Sequence, residues 1–88
     1  MINVIHPSSV IANDVKIGNG VIVTANVAIN PSSIIGDNVI IWTGSTIDHD
    51  NIVDNHTYIS PGCHMAGLVS ILEGSFIGTG TNILPKVT

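Results

Sequence analysis

Residues 35–59 read IGDNVIIWTGSTIDHDNIVDNHTYI, with an aliphatic residue at every sixth position: Ile35, Ile41, Ile47, Val53 and Ile59. The same step continues outward to Ile5 in one direction and Ile83 in the other, broken only by Met65. A fixed short period decides architecture before any local propensity does. Four residues after most of these positions stands another small or β-branched residue, among them Ser33, Val39, Ser45, Thr57, Cys63 and Val69. Three residues after stand residues that tolerate left-handed backbone, including Asp14, Gly20, Asn26, Asn38, Gly44, Asp50, Gly62, Gly74 and Gly80. Two inward positions and one corner per hexad describe a short strand followed by a bend. Three hexads close a triangular coil of about 18 residues, and coils stack as parallel strands. The predicted fold is an all-β parallel β-helix of four to five coils, a single domain over 1–88.

Composition agrees with that reading. A core of stacked isoleucines about 4.8 Å apart has little room for aromatics, and the 88 residues hold one Phe, one Tyr and one Trp. Lys16 and Lys86 are the two cations against six acidic residues, for a net charge of -4. Binding nucleic acid or an anionic membrane requires clustered cations that this chain lacks. Mean hydropathy is +0.51, but no apolar run approaches the roughly 18 residues of a membrane span. Met1-Ile2-Asn3 lacks the basic start and apolar block of a signal peptide. The single Cys63 excludes an internal disulfide framework. Cytoplasm is the expected compartment.

The densest polar cluster is Asp48-His49-Asp50-Asn51, followed by Asp54-Asn55-His56. In a stacked coil, residues eighteen apart are vertical neighbours, so Gly67 stands over His49. A histidine beside a carboxylate can serve as an oriented general base near neutral pH. A glycine above it opens space and leaves an N–H for a developing oxyanion. A solvated corner histidine is the alternative, because acidic residues are common at such corners.

The stretch Ile47-Asp48-His49-Asp50, then Tyr58-Ile59-Ser60-Pro61-Gly62, then Met65-Ala66-Gly67, resembles the sialic-acid O-acetyltransferase and amino-sugar N-acetyltransferase family of hexapeptide-repeat acyltransferases. Ile5-His6-Pro7-Ser8 and Asn26-Val27-Ala28-Ile29-Asn30 resemble earlier parts of the same β-helix. The resemblance implies a left-handed β-helix, the exception to right-handed crossovers, assembled as a homotrimer. It implies acetyl transfer from acetyl-CoA to an amino or hydroxyl group of a sugar, either sialic acid or a nucleotide-linked amino sugar. His49 would be the base, Asp50 would orient it, and the Gly67 N–H would hold the oxyanion. Acetyl-CoA would lie between neighbouring β-helices along Tyr58, Gly67, Gly78 and Thr79. The chain departs from the family where Tyr58 replaces a second histidine, Trp42 an asparagine near the sugar, and Lys86 a glycine. The family's N-terminal nucleotide-sugar domain and its later coils are not expected in these residues.

The remaining candidates read as structural. His6 enters the first coil, His56 sits on a corner, His64 points outward, Cys63 falls inward, and Trp42 is too large for the interior. Two other functions compete. One is a metal site like that of γ-carbonic anhydrase, which needs three converging histidines; His49, His56 and His64 fall on different corners or faces. The other is a truncated, non-catalytic scaffold.

Overall fold

The computed structural model describes residues 3–84; Lys86 lies outside them. The described residues form fourteen two-residue strands in three parallel sheets, the three faces of a triangular prism. The first face holds β1 (Val4–Ile5), β4 (Ile22–Val23), β7 (Ile40–Ile41), β10 (Tyr58–Ile59) and β13 (Phe76–Ile77). The second holds β2 (Val10–Ile11), β5 (Ala28–Ile29), β8 (Thr46–Ile47), β11 (His64–Met65) and β14 (Asn82–Ile83). The third holds β3 (Lys16–Ile17), β6 (Ile34–Ile35), β9 (Ile52–Val53) and β12 (Ser70–Ile71). Each strand pairs with the strand one coil away, in registers such as Ile22↔Ile40 and Tyr58↔Phe76. This is the left-handed parallel β-helix expected from the sequence.

The second residue of each strand points inward. From Val23 to Ile71 these residues are buried, stacked Ile on Ile or Val except where Met65 lies between Ile47 and Ile83. Burying each such side chain contributes about 1.5–3 kcal/mol. The residues four further on, from Val27 to Val69, are buried beside them, and the polar ones among them bond backbone groups of their own or the adjacent coil. Ser45 Oγ accepts the Cys63 N–H at 3.1 Å and donates to the Ser60 carbonyl at 2.8 Å. The position dictates burial even for an amide. Asn51, which the sequence reading grouped with the exposed Asp48–Asp50 cluster, is 1% exposed and lies inside. Its Oδ1 accepts the Val69 N–H at 2.8 Å, while its Nδ2 has no partner among the described residues.

From Gly20 onward the corners follow the expected geometry. Every sixth residue from Gly20 to Gly80 has positive φ. Such a corner lays its N–H on the coil beneath, as Gly62 does on the Thr43 carbonyl at 3.0 Å. Asp14 was expected to share this conformation and does not. It makes no such bond among the described residues; its carboxylate instead accepts the Ser32 N–H and hydroxyl, both at 3.1 Å. At the edge joining the third and first faces, Gly36 makes room for the next coil. A Cβ there would overlap Asn55 Oδ1, the atom that accepts the Asp37 N–H at 2.7 Å.

Candidate active site

His49 sits on the corner between β8 and β9, at the edge joining the second and third faces. The backbone of this corner is pinned from several sides. Ser33 Oγ, buried, donates to the Asp48 carbonyl at 2.8 Å and accepts the Asn51 N–H at 3.2 Å. The His49 N–H bonds Asp48 Oδ1 at 2.8 Å, the Asp50 N–H bonds the Pro31 carbonyl at 3.1 Å, and the His49 carbonyl accepts the Leu68 N–H at 3.2 Å. The imidazole itself is open, with 55% of the side chain exposed. A fixed backbone thus presents a solvent-reachable imidazole.

The imidazole is oriented by its neighbour. His49 Nδ1 lies 3.0 Å from Asp50 Oδ2. An ionised carboxylate only accepts, so Nδ1 carries the proton and Nε2 keeps its lone pair. The Asp50 hydrogen bond raises the His49 pKa above the ordinary imidazole value, with smaller pushes from the charges of Asp48 and Asp50. The His49 N–H and the Asn30 amide, 3.2 Å away, hold the Asp48 carboxyl below its usual range. An NMR titration of His49 should therefore give a midpoint above that of an ordinary histidine. In Asp50→Asn the midpoint should fall, because the largest cause of the rise is removed; an unchanged midpoint would disprove the pairing in solution.

Gly67 lies against the imidazole, as the eighteen-residue step required. A Cβ on Gly67 would stand 2.7 Å from both Cε1 and Nε2 of His49. Among the described residues, the Gly67 N–H makes no hydrogen bond within the chain. His49, Asp50 and Gly67 are thus brought together on one edge.

Tyr58, Gly78 and Thr79 are not with them. Tyr58 projects from the first face, its ring stacked on Phe76 at 4.8 Å and 7° and 6.2 Å from that of Trp42. Gly78 and Thr79 follow β13 in the turn from the first face to the second. Gly78 turns its carbonyl to Thr81 Oγ1 at 2.7 Å and to the buried Cys63 thiol at 3.1 Å. The six candidate residues therefore form two groups, one on the edge joining the second and third faces, the other on the first face and the edge it shares with the second.

The other histidines make separate local contacts. His6 Nδ1 accepts the Ser8 N–H at 3.0 Å, and His64 Nδ1 pairs with Thr46 Oγ1 at 2.8 Å. His56 is exposed on a left-handed corner. No three His, Cys, Asp or Glu side chains among the described residues stand close enough to hold a metal ion. No helix of the described residues is long and apolar enough to cross a membrane. Sequence reasoning passed over Leu68, the residue after Gly67, although its place on a left-handed corner could be read from the period.

No protein-family model matches the chain. Among curated relatives it is similar to the GDP-perosamine N-acetyltransferase of Escherichia coli O157:H7, 30% identical over 82 residues, covering 93% of this chain and 37% of that protein. Among solved structures it superposes on a histidine variant of perosamine N-acetyltransferase from Caulobacter crescentus in complex with CoA and GDP-perosamine. That match has a TM-score of 0.97 and 42% identity, covering 98% of this chain and 41% of that one. It also superposes on the acetyltransferase domain of PglB from Neisseria gonorrhoeae FA1090, with a TM-score of 0.95 and 36% identity, covering 97% of this chain and 42% of that one. The same PglB domain has been solved in complex with acetyl coenzyme A. The chain spans about two fifths of the length of the relatives it matches.

Proposed function

We propose that this chain, whose repeats and fold are those of the β-helix portion of the hexapeptide-repeat acyltransferases, takes part in acetyl transfer from acetyl-CoA to the amino group of a nucleotide-linked amino sugar. The observation that carries the reading is the His49–Asp50 pair lying against Gly67, on a β-helix 42% identical to that of a perosamine N-acetyltransferase. The relatives favour an amine over a hydroxyl acceptor.

The chemistry follows from the geometry. His49 Nε2 takes a proton from the attacking sugar amine while the new N–C bond forms at the thioester carbonyl. Asp50 holds the imidazole in the competent tautomer and stabilises the imidazolium. The Gly67 N–H is the donor for the oxygen that becomes negative. As the C–S bond breaks, His49 returns the proton to the departing thiolate.

The two separated groups of residues imply an assembly. Outward residues of the first face are Val4, Ile22, Ile40, Tyr58 and Phe76, the last 69% exposed. On the third face Ile34 and Ile52 are exposed, with Leu72 beside them. The second face is more polar, with Thr46, His64 and Asn82. A threefold ring uses two different surfaces of each protomer. With the first face of one copy toward the third face of the next, the Tyr58–Gly78–Thr79 edge and the His49–Gly67 edge border one groove. In that groove acetyl-CoA would meet the base. A CoA-dependent reaction on a nucleotide sugar supports the cytoplasm as its compartment.

The test is thiol release from acetyl-CoA in the presence of GDP- and UDP-linked amino sugars, with the mass measured by light scattering. Amino-sugar-dependent release by a particle of three chains is expected. Release with hydroxyl acceptors alone, or an active monomer, would refute the reading.

A further inference from the structure

Leu68 holds φ at 61°. The other left-handed corners are glycine, asparagine, aspartate, a serine that bonds Asp14, and a histidine. For a branched aliphatic residue this conformation is strained. Burial does not offset the strain, because Leu68 is 50% exposed. Its position is specific. It directly follows Gly67, against which the His49 ring lies, and its N–H bonds the His49 carbonyl at 3.2 Å. One coil along, it stands over Asp50, the partner of His49 Nδ1, just as Val69 stands over Asn51 and Ser70 over Ile52. Strain concentrated in one residue beside a candidate base points to use of its side chain.

We infer that Leu68 is a specificity-determining residue of the His49 site: its side chain forms an apolar wall that the acceptor sugar packs against and that keeps water from taking the acetyl group. This rests on the acetyl-transfer reading. An exposed base beside a bound thioester can also activate water in place of an amine. Hydrolysis would then form a bond from water oxygen to the acetyl carbon and break the C–S bond, one water proton passing through His49 to the CoA thiolate and the other leaving to solvent as acetic acid ionises to acetate. An apolar wall raised on a strained corner disfavours that route without contacting the reacting atoms.

The test uses Leu68→Asn and Leu68→Met in the whole chain. Asparagine adopts left-handed backbone readily, so Leu68→Asn should melt no lower than the native protein. Loss of the apolar wall should raise the acceptor KM roughly tenfold, the lower end of what one apolar contact is worth in a pocket. It should also raise acetyl-CoA hydrolysis relative to transfer by about the same factor. Leu68→Met keeps the apolar bulk and should stay near native in both. A purely structural role would move the melting temperature and leave the partition between hydrolysis and transfer alone. An unchanged partition and KM in Leu68→Asn, with transfer still dependent on His49, would overturn this inference alone. No transfer by the native chain would overturn both readings.

Discussion

Replacing His49 with alanine should lower acetyl transfer by about 10²–10⁴-fold, the range a positioned general base contributes. The fold should survive. The imidazole is open to solvent, and the corner is held by bonds that do not involve it: Ser33 Oγ on the Asp48 carbonyl, the Asp50 N–H on the Pro31 carbonyl, and the Leu68 N–H on the His49 carbonyl. Melting temperature and CoA affinity measured by calorimetry should therefore stay close to native while kcat collapses. The pH profile adds a second check. A base must be neutral to act, so the native rate should rise with pH through the raised His49 midpoint. The residual rate of the alanine variant should lack that limb. A His49→Ala protein that transfers acetyl at near the native rate would remove His49 from the chemistry.

How much of this could be read in the sequence depends on what the period controls. The six-residue step specifies which side chains enter the prism, and it predicted the burial of Ile41, Ile47 and Cys63. Three steps make a coil, and that ruler alone laid Gly67 against His49. Asn51 was misjudged because polarity was weighed above register; in a stacked coil an inward position stays inward, and the amide must find partners there. Asp14 was misjudged because residue type was taken to decide the corner, whereas the conformation goes with where the N–H finds its acceptor. The division of the six candidate residues between two edges was also implicit in the period. Tyr58 and Gly78 belong to hexads of the first face and its corner, and His49 to a corner one face later. A family motif read as a linear string conceals that separation, because neighbours in the motif are on different edges of the prism.

Substituting Gly67 by alanine should lower kcat roughly 100-fold, the loss expected when a reacting group is misplaced by about 1 Å. The added methyl would sit 2.7 Å from Cε1 and Nε2 and 3.2 Å from Cδ2 of His49. Such contacts are well inside van der Waals distance, so something must move. The ring is the part free to do so, since the surrounding backbone is bonded and the imidazole faces solvent. Gly67 does not use left-handed backbone, so alanine can adopt its conformation. A Gly→Ala change of that kind stabilises by about 0.4–1 kcal/mol through the unfolded chain. The variant should therefore melt at or near the native temperature while losing most of its rate. As the ring tilts away from Asp50, the His49 midpoint should also fall toward the ordinary imidazole value, because the Asp50 hydrogen bond is the main cause of its rise. This substitution separates two roles for Gly67, because alanine keeps the backbone N–H. If the glycine served only as an oxyanion donor, Gly67→Ala would leave both rate and midpoint native. If its missing side chain is what seats the base, both fall together. A native rate with a native midpoint would mean that the ring in solution does not rest on Gly67.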